Sequence, residues 1–207
     1  MSYVDAYFDR ENDFIKIVER NSKGEREYKD IAVKHTLYYT DPKGKYQSIY
    51  GDPVSKVICN NTREFRKELS IHGNKKLFES DINPIFKCLS DNYLNHDAPN
   101  LNVAFFDIEV DFDPERGYAS PDDAFMPITS IAVYLQWLET LICLAIPPKT
   151  LTMEQAKEQI RDIPNTILFN TEADMLDTFL TLIEDADVLS GWNSEGFDIP
   201  YTVRSEE

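Results

Sequence analysis

The stretch NVAFFDIEV, residues 102–110, sets two carboxylates into an otherwise apolar run. Five of the six side chains from Val103 to Ile108 are apolar, which predicts a strand covered on both faces, like the central strands of α/β sheets. A period of two sends Asp107 and Glu109 to one face and Phe106, Ile108 and Val110 to the other. Two like charges at the end of a buried strand repel each other and resist desolvation, so they need compensation, and a divalent cation supplies it most directly. The alternative is a strand that ends at Phe106, with both acids in a solvated loop.

Composition narrows the class. With 42% hydrophobic residues, the 207-residue chain has ample material for a core, in one large domain or two small ones. No apolar run approaches the ~20 residues needed to span a bilayer. The opening MSYVDAYFDREND has neither the basic end nor the apolar core of a signal peptide, so a soluble cytoplasmic protein with no membrane partner is expected. Cys59, Cys88 and Cys143 are widely spaced and form no Cys-x-x-Cys pair, which argues against a disulfide framework or a zinc site.

The net charge of -16 is unevenly spread. Residues 1–98 hold 16 basic and 16 acidic side chains, whereas residues 99–207 hold 5 and 21. That step predicts two domains, a β-rich N-terminal one over 1–98 and a second over 99–207. It also opposes phosphate binding by the second domain unless cations intervene.

In the first domain, FIKIV predicts a strand, residues 21–24 a hairpin turn, residues 31–39 a second strand and residues 46–50 a short third. Asn61 to Glu64 reads as a capping box opening a helix that ends at His72-Gly73. Tyrosines interleaved with lysines (Tyr28, Tyr38, Tyr39, Tyr46, Tyr50) could stack bases or simply be half-buried strand residues. In the second domain, residues 111–126 form a loop, and the alternation of Ile131, Val133, Leu135 and Trp137 predicts a hairpin with residues 141–146. Thr152 and Thr171 cap two helices around a strand at 166–169, and a last strand covers 188–192.

After that strand comes GWNSEGFDIPY, residues 191–201, with a helix expected to begin near Asp198, where Asp198 could simply be an N-cap. Here the residues carry a resemblance. FDIE at 106–109 resembles the first exonuclease motif of the family B DNA polymerases. Asn193, Phe197, Asp198, Pro200 and Tyr201 match that family's second motif, Asn-x-x-x-Phe-Asp-x-Pro-Tyr, position by position. SIYGDPVSKV in the first domain is similar to the bacteriophage, T-even-like branch.

The resemblance implies an α/β, ribonuclease-H-like exonuclease domain, a mixed sheet with helices, behind a small β-rich α+β domain. It further implies proofreading, the removal of a mispaired 3′ nucleotide from DNA by two-metal hydrolysis. Asp107 would bridge two Mg²⁺ or Mn²⁺ ions, Glu109 would hold one and orient the water, and Asp198 would support the second. Asn193, Phe197 and Tyr201 would seat the single-stranded 3′ end. The family's third exonuclease motif and its polymerase palm, fingers and thumb have no counterpart here. The chain therefore reads as a truncated fragment, expected to show little or no nuclease activity and no polymerisation. In the parent, a sliding clamp would bind through regions this sequence lacks. The competing expectation is a non-catalytic acidic module with a binding or autoregulatory role.

Overall fold

Residues 2–206 are described by a computed structural model, in which the chain divides after Asn100 into two units. The first opens with an antiparallel meander of β1 (Ser2–Asp9), β2 (Phe14–Arg20) and β3 (Arg26–Ala32), with β2 in the middle. Asn21 closes the β2–β3 turn, its side-chain oxygen accepting from the amides of Lys23 (2.9 Å) and Glu25 (3.1 Å). A second sheet takes β4 (His35–Thr40), β5 (Tyr46–Gln47), β6 (Pro53–Cys59) and β7 (Leu77–Phe78) in the order β5-β6-β4-β7. Two helices complete the unit, α1 (Thr62–His72) and α2 (Pro84–Tyr93). Alternation along β2 buries Ile15 and Ile17 with Val33 and Tyr93, backed by Ile85 and Leu89 of α2.

Two expectations change here. The single strand over residues 31–39 is two strands in two sheets. The chain breaks where Val33 buries its side chain and donates its amide to the Asp13 carbonyl at 2.9 Å. The strand over 46–50 stops at Gln47, because the Gly51 amide turns back onto the Ser48 carbonyl (3.0 Å). The helix cap at Asn61 forms, accepting from the Glu64 amide at 2.7 Å, while the Glu64 carboxylate returns to the Asn60 amide at 3.0 Å.

The second unit is a mixed five-stranded sheet. It comprises β8 (Val103–Val110), β11 (Ile128–Leu135), β12 (Thr140–Ala145), β13 (Thr166–Leu168) and β14 (Val188–Ser190), in the order β13-β12-β11-β8-β14. β8, β11 and β12 run antiparallel, whereas β13 and β14 join the two edges in parallel. The segment expected to be a plain loop holds a two-residue hairpin, β9 (Phe112–Asp113) with β10 (Gly117–Tyr118). Parallel edges need crossovers, which α3 (Met153–Gln159) and α4 (Glu172–Ile183) supply, and α5 (Asp198–Glu206) follows β14.

One face of the sheet carries the core. Ala104, Phe106 and Ile108 of β8 lie in register with Leu135, Val133 and Ile131 of β11, and the group packs with Met175, Leu176 and Phe179 of α4. The Phe106 and Phe179 rings sit 5.2 Å apart. Each such side chain stabilises the unit by roughly 1.5–3 kcal/mol through burial. The other face differs from the doubly covered strand expected: Phe105, Asp107 and Glu109 are exposed. Strict alternation satisfies the core from one side only. Among the described residues no helix is long and apolar enough to cross a membrane.

Candidate active site

β8 delivers the first two acids. Asp107 stands opposite Ala132 and Glu109 opposite Ser130, small neighbours that leave both carboxylates open to solvent. Beside Glu109 the ladder slips by one residue: Ile128 pairs with Val110 but Ser130 with Glu109, so Thr129 is extra, and its hydroxyl donates to the Glu109 carbonyl at 3.1 Å. A bulge of this kind bends the strand that carries it, here β11.

Asp198 reaches β8 by another route. β14 runs beside β8 only as far as Ser190 opposite Phe105, and Gly191 then passes so close to the Phe106 carbonyl that a Cβ there would lie 2.3 Å from the oxygen. Only glycine allows that approach. Phe106 and Ile108 share parity, so both turn backbone groups toward this edge. Past the end of β14 the Asp198 carboxylate takes over as acceptor and receives the Ile108 amide at 3.1 Å. Asp198 opens α5, yet its carboxylate completes a strand ladder rather than serving simply as an N-cap. Its carbonyl accepts from the Thr202 hydroxyl (2.7 Å), which fixes the helix start.

Asp107 and Asp198 thereby line one open cleft of about 570 Å³ with Ile108, Trp192, Asn193 and Phe197. Glu109, two residues along the same face, is not among its lining residues. Asn193 holds a left-handed backbone (φ 58), and its carbonyl accepts the Gly196 (2.9 Å) and Phe197 (3.0 Å) amides, so the loop is internally tied. Tyr201, expected at the substrate, is fully buried. Its ring lies 5.3 Å from that of Phe197 and its hydroxyl donates to the Met126 carbonyl at 2.6 Å. It supports Phe197 from the core side instead of facing the cleft.

The electrostatics are uncompensated. Among the described residues no Lys, Arg or His comes within 4.0 Å of the Asp107, Glu109 or Asp198 carboxylates. Asp198 is only 3% exposed. Burial pushes its carboxyl above the ordinary 3.8; the Ile108 amide opposes the rise and the negative charge of Asp107 adds to it. Exposed Asp107 beside buried Asp198 offers an all-oxygen donor set of the kind that suits a hard divalent cation. Among the described residues no three His, Cys, Asp or Glu side chains gather at metal-ligand spacing.

Sequence reading missed two contributors. The Ile108 amide, which anchors Asp198, carries no side-chain signal at all. Trp192 does carry one, a large aromatic placed directly after Gly191 in a turn, where little can bury it.

Comparison with known proteins gives the family. The chain is 27% identical over 209 residues to a DNA-directed DNA polymerase of Escherichia phage RB69, covering 87% of this chain and 23% of that protein. It is 26% identical over 212 residues to a DNA-directed DNA polymerase of Enterobacteria phage T4, covering 90% of this chain and 23% of that one. The chain therefore spans less than a quarter of the length of either relative. A sequence model of the family described as DNA polymerase family B, exonuclease domain, matches residues 68–205. The match begins within α1, crosses the divide between the units, and takes in Asp107, Glu109 and Asp198. Matched over well more than half its length, the chain belongs to the exonuclease-domain family of the family B DNA polymerases.

Proposed function

We propose that the chain contributes to 3′–5′ proofreading in a phage-type family B DNA polymerase, cutting the terminal phosphodiester of a single-stranded DNA 3′ end. The observation that carries this reading is the pairing of Asp107 with Asp198 in one cleft that has no protein cation to neutralise them. The sheet order, with three antiparallel strands and a parallel edge strand beside β8, supports a ribonuclease-H-like fold for the second unit. Polymerisation belongs to the much longer DNA-directed DNA polymerases that this chain resembles.

Asp107 and Asp198 would hold Mg²⁺ or Mn²⁺, with Glu109 extending the site along the strand. Such cations supply activation of the attacking water and stabilisation of the departing 3′ oxygen. The chain's own residues do the rest. Asp107, open to solvent, faces the incoming phosphodiester. Asp198 is held still by the Ile108 amide and Thr202, so its carboxylate meets a ligand without reordering. Glu109, on the same face of β8 as Asp107, orients the water. Asn193 and Phe197 seat the terminal nucleotide, and Tyr201 keeps the Phe197 ring in place from below.

Adding Mn²⁺ should raise the melting temperature of the full chain by several degrees, since a ligand at about a hundred times its Kd stabilises by about 2.7 kcal/mol. Asp107→Ala should abolish the rise. A melt indifferent to Mn²⁺, or a rise that survives Asp107→Ala, contradicts the proposal.

A further inference from the structure

Glu172 belongs to neither of the motifs that supply the acids, yet its carboxylate reaches the strand beside them. As the first residue of α4 it receives the Ile128 amide at 2.7 Å. Ile128 is wholly buried, so this amide has to find its acceptor inside the protein. β12 supports β11 only as far as Ala145 opposite Ser130, with the Ile146 amide reaching the Thr129 carbonyl at 2.8 Å. Pro147 and Pro148 then remove the donors that could extend the ladder. Glu172 serves β11 where β12 has ended, as Asp198 serves β8 where β14 has ended.

The backbone that Glu172 holds is the support of Glu109. β14 pairs with β8 only up to Phe105, and Asp198 extends that edge to Ile108. For Glu109 and Val110 the one strand partner among the described residues is the start of β11. There Val110 stands opposite Ile128, the Thr129 hydroxyl donates to the Glu109 carbonyl at 3.1 Å, and the Asp111 amide donates to the Pro127 carbonyl at 3.0 Å. The same stretch is tied to α5 by the Tyr201 hydroxyl on the Met126 carbonyl (2.6 Å). An acid in the first turn of a helix is ordinarily accounted for by the helix dipole, and its loss would then concern α4 alone. Here a charge-assisted hydrogen bond also fixes residues 126–129, on which the acid-bearing end of β8 leans.

Resting on the exonuclease reading above, we propose that Glu172 is a positioning residue for Glu109, acting through the Ile128 amide and the start of β11. It touches neither substrate nor cation. Its carboxylate fixes Ile128, this end of β11 fixes the backbone of Glu109 and Val110, and the Glu109 carboxylate then meets a divalent cation from a settled position. Asp107, opposite Ala132 in the body of the sheet, and Asp198, anchored on the other edge of β8, do not depend on it.

Two readouts on the full chain, well below its melting temperature, test this: Mn²⁺ affinity from the paramagnetic resonance of the free ion, and side-chain carboxyl carbon resonances in EDTA. Glu172→Ala should weaken Mn²⁺ binding about tenfold, the low end of what loss of a group supporting a ligand costs. Glu172→Gln keeps an oxygen for the Ile128 amide and should stay within about twofold of wild type. Glu109→Gln should also cost about tenfold, and adding Glu172→Ala to it should cost nothing more, since both remove the same contribution. Thr129→Val, a milder break in the same bridge that spares the buried amide, should weaken binding about threefold and keeps the test open should Glu172→Ala not fold. In EDTA the Glu109 resonance should move in Glu172→Ala and return in Glu172→Gln, while that of Asp198 stays put. Leu176→Ala, which opens a cavity in the core under the same helix, should lower stability without this loss of affinity. Unchanged affinity in Glu172→Ala or Thr129→Val, losses that multiply in the double variant, an unmoved Glu109 resonance, or an equal loss in Leu176→Ala overturns the proposal. Mn²⁺ binding that wild type has and Asp107→Ala lacks upholds the exonuclease reading whatever Glu172 does, whereas its absence from wild type overturns both.

Discussion

Glu19 in the first unit and Asp198 in the second are equally buried, each 3% exposed, yet their carboxyls are displaced in opposite directions. Burial alone raises both. At Glu19 it is outweighed by the Lys29 ammonium in contact with the carboxylate and by the Tyr93 hydroxyl donating at 2.5 Å, so the carboxyl falls below its ordinary 4.5. At Asp198 the backbone amides of Ile108 and of Asp198 itself do not outweigh burial, Asp107 adds a like charge, and the carboxyl stays above its ordinary 3.8. A buried acid with its cation in place is fastening the structure. A buried acid next to another acid, with no cation supplied, is a place where something charged is meant to arrive.

The largest effect that can break this contrast is expected at Glu19. Glu19→Ala strips the charged acceptor from Lys29 and Tyr93 and should destabilise the chain by about 2 kcal/mol in urea unfolding at neutral pH. Because the Glu19 carboxyl is depressed, its contribution is present above 4.5 and is lost as pH falls through the folded value, so the gap between variant and wild type should close in acid. A smaller effect of opposite sign is expected at the site. Asp198→Asn, measured in the presence of EDTA, keeps an oxygen for the Ile108 amide and removes the uncompensated charge. It should leave the chain as stable as wild type or more so, by less than about 1 kcal/mol. Its pH trend reverses that of Glu19: with the folded carboxyl raised above 3.8, wild-type stability is lost as pH rises through the folded value, so the advantage of Asp198→Asn grows with pH over that window. If Glu19→Ala were neutral, or Asp198→Asn cost as much as Glu19→Ala, the two acids would not differ in kind.

Much of the site was legible because its signals are local. Period-two alternation put Asp107 and Glu109 on one face before any tertiary contact was known, and β8 keeps that parity. Capping chemistry located the helix starts after Thr152 and Thr171, whose hydroxyls each accept an amide at 3.2 Å. What failed was decided by packing across the chain. The sheets of the first unit part at Val33 because Asp13, twenty residues earlier, accepts its amide. The apolar run of β8 predicts cover on both faces, but such a run does not say how many layers will face it, and Phe105, Asp107 and Glu109 stay exposed. Tyr201 sits in the part of the motif that reads as substrate contact, but its side chain is absorbed by the core and the Met126 carbonyl. Even the opening of α2 carried an unread signal: Asn83 before Pro84 is an N-cap followed by a first-turn proline, and Asn83 accepts from the Ile85 amide at 3.0 Å.

The most direct measurement is an NMR titration of the side-chain carboxyl carbons of the full chain, with and without Mg²⁺. Without the cation, Asp198 should titrate above 3.8 while Glu19 titrates below 4.5; with Mg²⁺, Asp198 should move down and Glu19 should not respond. An Asp198 carboxyl already below 3.8 in EDTA, or one that ignores Mg²⁺, would contradict the claim that Asp107 and Asp198 form an uncompensated seat for a divalent cation.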